Sequence, residues 1–203
     1  MKLVDRSVRD FCDILASDAP APGGGSTAAL EGALGCSLIG MVASLTLGRK
    51  KYAGHALLME ESAKRAEELR MLLMELIDRD AEAYDGVTAV FAMPNGTGEE
   101  KASRTEALQA ALKACTLTPF EVMKNALSAL ELIEAMQGKY NTNAESDLEV
   151  AALSLKAAVQ GAWLNVKINL DGIKDEGFVN IYKTEGEAML KCFQKGGMID
   201  NDK

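Results

Sequence analysis

The sequence predicts an all-α fold: a single-domain antiparallel helical bundle that occupies residues 1–203. Apolar residues make up 48% of the chain but aromatic residues only 5%, a balance that favours closely packed helices over sheets. Apolar side chains recur at helical spacing, and no useful stretch alternates with the period of a strand. A chain of 203 residues is long enough to fold without a disulfide or metal staple.

Charge and cysteine usage exclude several classes of function. The net charge of −8 is spread along the chain, which argues against a nucleic-acid partner because phosphate binding needs a basic surface. The four cysteines are far apart and His55 is the single histidine, so we expect neither a metal site nor a Ser-His-Asp triad. No secretory signal opens the chain, and we expect a cytoplasmic protein with reduced thiols.

The first helix is predicted after Ser7, which together with Asp10 forms a loose capping box. Two prolines and three consecutive glycines then break the chain between residues 19 and 26. This glycine-rich loop leads into the second helix.

The second helix, over about 26–47, is predicted to be the small-residue-rich centre of the bundle. Glu31 is its only charge, so length and composition also admit a membrane-associated hairpin. Eleven of the 21 residues from 27 to 47 are Ala, Gly, Ser or Thr, which lets neighbouring backbones approach closely. Because the other helices are amphipathic, we favour a buried central helix in a protein that does not enter the membrane.

The remaining helices are predicted from apolar spacing and from their end signals. Thr97 with Glu100 starts one helix that ends near Thr118, and the segment 118–121 (TPFE) starts another. A capping box of Ser146 and Glu149 starts the next helix. The predicted spans are about 57–91, 97–118, 119–137, 146–170 and 175–193, followed by a frayed tail over 196–203.

Asp80 is the first candidate for chemistry, because it occupies a position where the helical period calls for an apolar side chain. A buried carboxylate is costly unless it is paired or hydrogen-bonded. It is either a functional group or a core aspartate held by a backbone amide or an arginine. Asp78, Glu82 and Asp85 fall on a neighbouring face, where we expect a solvated acidic edge.

A second polar cluster lies at 141–147 (NTNAESD), where turn and helix-start residues are a sufficient structural explanation. The helix that follows carries Asn165 and Asn169 one turn apart in an apolar stretch. Their amides need partners, from a neighbouring helix or from a bound polar ligand.

The loop 22–26 (PGGGS) precedes a helix and offers free backbone amides to an anion or a carbonyl, although a flexible turn explains it as well. Arg49, Lys50 and Lys51 could bind substrate carboxylates or simply cap the helix dipole. His55 is predicted to be a surface or cap residue.

Five motifs in order give the chain a resemblance to a known family. They are 21–26 (APGGGS), 45–52 (LTLGRKKY), 78–84 (DRDAEAY), 141–147 (NTNAESD) and 165–170 (NVKINL). The sequence resembles the C-terminal domain of formiminotransferase-cyclodeaminase, a family that includes standalone methenyltetrahydrofolate cyclohydrolases. The resemblance covers about 4–179.

This resemblance implies an all-helical fold that dimerises through its helices and acts on a tetrahydrofolate one-carbon unit. The substrate would be the only folate present, with no metal and no tightly bound cofactor. Carried over by motif, Asp80 is the acid/base carboxylate and Asp147 a second acid near the pterin or the one-carbon unit. The substrate-binding residues implied are Gly23, Gly24, Gly25, Ser26, Arg49, Lys50, Lys51, Tyr52, Asn143, Ser146, Asn165 and Asn169.

The leading functional hypothesis is hydrolysis of 5,10-methenyltetrahydrofolate to 10-formyltetrahydrofolate by a cytoplasmic homodimer. No formiminotransferase domain is fused to this chain to deliver a formimino substrate, which favours hydrolysis. Formiminotetrahydrofolate cyclodeaminase, which releases ammonia, is the first alternative. A non-catalytic folate-binding or helical assembly module is the second.

Overall fold

The structure, a computed structural model, describes residues 1–195. This part of the chain contains six α-helices and no strand, as the composition predicts. The helices are α1 (Val8–Leu15), α2 (Gly24–Thr46), α3 (Ala56–Phe91), α4 (Gly98–Met136), α5 (Glu145–Leu170) and α6 (Glu176–Lys195). Short 3₁₀ segments cover Leu3–Asp5, Lys50–His55 and Thr142–Ala144.

The four long helices, α2 to α5, form an up-down-up-down bundle in which consecutive helices run antiparallel. Helix α2 packs against α3 and α5 along its length and also contacts α4, so it lies at the centre of the bundle. Helix α6 packs on α5 and α4. The fold prediction is therefore confirmed for the all-helical architecture and its central helix.

Glycines in α2 allow the close approach of its neighbours. A Cβ at Gly35 would lie 2.6 Å from Leu155 Cγ, and one at Gly32 would lie 3.1 Å from Leu73 Cδ2. The contacts of α2 with α5 and α3 therefore depend on positions without a side chain. Within the described residues, α2 is the one helix long and apolar enough to span a membrane, and half of its most apolar window is buried in the bundle.

Asp78 was expected on a solvated acidic edge, and that expectation is wrong. Its side chain is only 8% exposed and accepts a hydrogen bond from the backbone amide of Leu3. The N-terminal 3₁₀ segment lies over this part of α3, which spacing within α3 alone does not reveal. Glu82 and Asp85 are exposed, as expected.

The predicted break at Thr118 is also wrong, because α4 continues through Pro119 to Met136. A proline inside a helix removes one backbone hydrogen bond, here the one to the carbonyl of Cys115. A side chain from α5 supplies that bond instead, and the residues after Pro119, from Phe120 onward, pack into the core. Tertiary contacts thus override a local signal for a helix start.

The structure also tests the residues predicted to cap the other helices. The caps at Ser7 and Thr97 are confirmed, the latter as a full capping box with Glu100. Ser146 does not cap α5, because Asn141 accepts the amide of Asn143 and starts the turn earlier, so the helix begins at Glu145. The prediction of a frayed tail over 196–203 lies outside the described residues.

Candidate active site

Asp80 lies on α3 beside the first turn of α2. The hydroxyl of Ser26 donates to Asp80 Oδ2 at 2.9 Å and also lies 3.1 Å from the carbonyl of Ile77. Because α2 begins at Gly24, Ser26 sits inside the helix and its hydroxyl reaches across to α3 rather than capping. The glycine-rich turn and the candidate carboxylate therefore meet, as the functional hypothesis requires.

Gly25 makes room for the carboxylate. A Cβ at Gly25 would fall 2.1 Å from Asp80 Oδ1, much closer than any non-bonded contact allows. The absence of a side chain is thus required by the position of Asp80 rather than by the backbone conformation. The third residue of the triple glycine has a specific role that a flexible turn would not need.

The surroundings of Asp80 disfavour its charged form. Burial raises the pKa of the Asp80 carboxyl above its ordinary value, and hydrogen bonds from the Ser26 side chain and backbone partly oppose that rise. Across residues 1–195 no arginine or lysine forms an ion pair with it. Many catalytic acid/base groups are carboxyls of this kind, partly removed from water and hydrogen-bonded to a neutral partner.

Helices α4 and α5 contact each other and the first turn of α2 in the same region. Cys115 on α4 is buried, and the carbonyl of this residue accepts a hydrogen bond of 2.8 Å from Asn169 Nδ2 on α5. One turn earlier, Asn165 lies against Gly24, where a Cβ would be 3.0 Å from its Nδ2. Asn165 Nδ2 itself donates to the carbonyl of Gly161 at 2.9 Å.

These contacts bring Asp80 together with about half of the residues predicted to bind substrate. We call this region the carboxylate end; it comprises Gly23, Gly24, Gly25, Ser26, Asp80, Cys115, Asn165 and Asn169. Sequence analysis missed Cys115, whose carbonyl is freed by Pro119. The signal was present, because the proline falls within an otherwise helical pattern, but it was interpreted as a helix start.

The other predicted residues lie where α2 ends and α5 begins. Thr46 Oγ1 accepts the backbone amide of Asn141 at 2.9 Å, and Tyr52 Oη accepts the amide of Thr142 at 3.2 Å. Hydrogen bonds from the Thr142 side chain and backbone, with a smaller contribution from Lys51, lower the pKa of Tyr52 to about 8. Polar contacts therefore fix the loop 141–144 onto the end of α2.

This second region, which we call the cationic end, comprises residues 49–52 and 141–147. Lys50 and Lys51 are exposed, whereas Arg49 donates through Nε to the carbonyl of Leu45 at 2.8 Å. A cleft of about 240 Å³ runs from Thr46 past Arg49 and Tyr52 to Met59. It is smaller than the roughly 300–1,000 Å³ usual for a drug-sized ligand, so it accommodates only part of a folate.

Within one chain, the two ends do not meet. Asn143 and Ser146 are exposed and Asp147 is half-buried, all at the beginning of α5. Asn165, at the carboxylate end, is eighteen residues further along the same helix. At a rise of about 1.5 Å per residue, Asp147 and Asn165 are roughly 27 Å apart. The structure therefore separates the two carboxylates, Asp80 and Asp147, that the resemblance assigned to one site.

The single histidine, His55, is half-buried and precedes the first residue of α3, without donating or accepting a side-chain cap. In the described part of the chain, no group of three or more His, Cys, Asp or Glu side chains could hold a metal ion. The predicted absence of a metal stays a prediction.

Comparisons with known proteins identify the family. Residues 7–188 match the family described as Formiminotransferase-cyclodeaminase. The chain belongs to this family. It is 38% identical over 186 residues to a methenyltetrahydrofolate cyclohydrolase of Methylorubrum extorquens, covering 92% of this chain and 89% of the relative. It is 33% identical to the formimidoyltransferase-cyclodeaminase of Rattus norvegicus over 87% of this chain but only 32% of that longer protein.

The family fold extends over nearly the whole chain. The crystal structure of formiminotetrahydrofolate cyclodeaminase from Thermotoga maritima superposes with a TM-score of 0.81 at 32% sequence identity. The match covers 96% of each chain. The resemblance inferred from the five motifs is therefore confirmed, and the relatives in this family are enzymes.

Proposed function

We propose that this protein hydrolyses 5,10-methenyltetrahydrofolate to 10-formyltetrahydrofolate. The observation that carries the proposal is Asp80, a desolvated carboxyl fitted against Gly25 and bonded by Ser26. The similarity to the cyclohydrolase of Methylorubrum extorquens, which extends along almost all of both chains, supports this substrate.

The chemistry follows from the charge of the substrate. The methenyl bridge is a cation, and the Asp80 carboxylate stabilises it in a site from which water is largely excluded. Asp80 accepts a proton as water attacks the bridge carbon, which leaves a neutral hydroxylated adduct. The adduct opens when Asp80 returns that proton to N5 and the hydroxyl proton leaves to solvent. The net reaction consumes one water and releases one proton.

Cyclodeamination of formiminotetrahydrofolate is the second candidate. The rat relative and the Thermotoga maritima neighbour are both named for this activity, and this chain is 33% and 32% identical to them. The same carboxyl would assist N10 attack on the formimino carbon and then protonate the departing ammonia. One positioned acid/base group serves both reactions.

Assays of the purified protein with both substrates test whether hydrolysis or cyclodeamination is the main activity. We expect loss of methenyl absorbance with 5,10-methenyltetrahydrofolate and no ammonia from the formimino compound. Asp80→Asn keeps the size of the side chain and should lower kcat by about 10²–10⁴, the usual contribution of a general acid/base group. Ammonia release without methenyl hydrolysis would reverse the order. Wild-type kcat in Asp80→Asn would refute the role of Asp80, and a wild-type protein inactive on both substrates would leave a binding or assembly role.

We also propose that the protein is a homodimer whose active sites form between subunits. A two-fold axis across α2 and α5 would place the carboxylate end of one subunit against the cationic end of the other. This arrangement supplies the second half of a site that the single chain leaves roughly 27 Å away. Asp80 would then meet the one-carbon unit while Lys50 and Lys51 of the other subunit bind the glutamate tail.

Exposed apolar stripes on α2 and α5 support such an interface. On α5, Val150, Leu153, Leu164 and Ile168 are 50–67% exposed and share one face of the helix. On α2, Leu34, Met41 and Leu45 are 38–53% exposed and likewise share a face. Apolar surface of this kind is typical of protein interfaces.

Sedimentation equilibrium tests the dimer. Leu153→Glu places a charge in the α5 stripe and should convert dimer to monomer. Leu57→Glu, at a position 75% exposed on α3, is the matched control and should remain dimeric. A wild-type monomer at micromolar concentration, or a Leu153→Glu variant that stays dimeric, would contradict the proposed interface.

We place the protein in the cytoplasm, acting on a small-molecule folate without a tightly bound cofactor, a membrane or a nucleic acid. Its net charge of −8 supports the expectation that it does not bind nucleic acid. Recovery in the soluble fraction, with no cofactor absorbance in the purified protein, is the expected result. A requirement for detergent would contradict it.

A further inference from the structure

Pro119 leaves one carbonyl of α4 without its helical partner. In an uninterrupted helix the amide of residue 119 would donate to the carbonyl of Cys115, four residues earlier, but proline has no N–H. Both Cys115 and Pro119 are buried, so water does not readily fill the vacancy. A buried carbonyl that loses its partner is destabilising unless another donor reaches it.

Asn169 provides that donor from another helix. Its Nδ2 lies 2.8 Å from the Cys115 carbonyl oxygen and so links α5 to α4. Asn165, one turn away, behaves differently, because its Nδ2 binds the carbonyl of Gly161 in its own helix at 2.9 Å. The two amides of α5 therefore have distinct roles, and only that of Asn169 uses the carbonyl that Pro119 frees.

Cys115 lies on the part of α4 that packs beside the candidate acid/base group, since an ion pair of 2.8 Å between Arg79 and Glu121 joins the residue before Asp80 to α4. Its thiol is 6% exposed, and burial together with the nearby charge of Asp80 raises its pKa to about 11. The hydrogen bond from Asn169 to the Cys115 carbonyl and the ion pair from Arg79 to Glu121 thus connect α5, α4 and α3.

We propose that Pro119 and Asn169 form a positioning pair that holds the Cys115 segment of α4 beside Asp80. Asn169 then acts on catalysis through α4, in place of the direct substrate contact implied by the family resemblance. This inference rests on the proposed role of Asp80 as the acid/base group. It assigns a function to a proline that interrupts the bonding of α4 without ending the helix.

A double-mutant cycle tests the pair. Asn169→Leu and Asn169→Asp both remove the amide donor, and Asn169→Asp retains every acceptor that a substrate could use. Each should lower kcat at least about tenfold, equivalent to one lost buried hydrogen bond, while KM changes less than about twofold.

Pro119→Ala restores an amide that can bond Cys115 within α4. In that background Asn169→Leu should cost less than about twofold.

Asn165→Leu is the matched control, and its cost should be equal with and without Pro119→Ala. An Asn169→Leu cost that is unchanged by Pro119→Ala, or a rise in KM at constant kcat, would overturn the proposal. If Pro119→Ala does not fold, wild-type kcat in Asn169→Asp would overturn it.

Asp80→Asn and urea unfolding of the same variants, measured in parallel, separate this proposal from the proposed function. If Asp80→Asn is fully active, the proposed function fails, whereas the unfolding midpoints still report whether Asn169 and Pro119 are coupled. Additive midpoint changes for those two positions would overturn the pair on structural grounds.

Discussion

The two ends of the bundle use polar residues in opposite ways. At the carboxylate end, one acidic side chain is half-buried between α2 and α3, and glycine makes room for it. At the cationic end, Lys50 and Lys51 project into solvent, while Thr46 and Asn141 use their hydrogen bonds to fasten a loop. The first arrangement suits the proposed chemistry on a cation, and the second suits the proposed binding of an anionic extension.

The same comparison explains why the site needs both ends. A carboxyl kept partly out of water activates a water molecule but offers little to the distant carboxylates of a folate tail. Exposed lysines attract those carboxylates but cannot act on a bridge carbon bound at the other end of the same chain. The predictions below test this division of labour, from the largest expected effect to the smallest.

Gly25→Ala should abolish the chemistry of the carboxylate end. Its Cβ would overlap Asp80 Oδ1 at 2.1 Å, so the carboxylate must turn away and kcat should fall at least about 10²-fold. Gly40→Ala is the control in the same helix, since a Cβ there meets nothing within 4 Å. Equal activity in the two variants would show that Asp80 does not depend on the glycine turn.

Replacing the lysines of the cationic end should affect binding more than turnover. We expect Lys50→Gln with Lys51→Gln to raise KM about three- to tenfold for polyglutamylated substrate, with kcat nearly unchanged. The effect should shrink for a monoglutamate and at high salt, where exposed charges are screened. The control is Lys64→Gln, on the exposed surface of α3. A fall in kcat without a KM change would assign these lysines elsewhere.

Removing the Ser26 hydroxyl should move the pH profile of the carboxylate end. Hydrogen bonds from Ser26 lower the pKa of Asp80 against the rise caused by burial. Asp80 must be ionised to accept a proton, so activity falls as pH drops through its pKa. In Ser26→Ala that acidic limb should move to higher pH, while the exposed Ser44→Ala leaves it in place. A shift to lower pH would contradict the assignment.

Asp80→Asn should make the folded protein slightly more stable near neutral pH, by about 1 kcal/mol, as when functional strain is relieved. Because burial raises its pKa, folded Asp80 binds a proton more readily than the unfolded chain does, so ionisation costs stability at higher pH. The gain should disappear below about pH 4, where the carboxyl is protonated in both states. Urea unfolding measures it; a neutral or destabilising effect at pH 7 would indicate that burial of Asp80 imposes no net cost.

Sequence analysis predicted most residues of both ends, but it missed Cys115 and did not predict how the residues are placed. Asp80 stood out because it breaks an apolar stripe, and the glycines of 23–25 because they precede a helix. The separation of Asp147 from Asp80 depends on which helices run antiparallel, and no local pattern encodes that. The errors at Asp78 and Pro119 share this origin, since each side chain or carbonyl is satisfied by a residue distant in sequence.

Subunit complementation tests the central claim, that one site joins Asp80 of one chain to Asp147 of another, and it requires that Asp147→Asn alone also lose activity. A heterodimer of Asp80→Asn and Asp147→Asn chains would hold one intact site and one site with both defects. Random pairing makes half the dimers heterodimers, so mixed subunits should recover about a quarter of wild-type activity. Activity equal to the mean of the two separate variants after subunit exchange would contradict the claim.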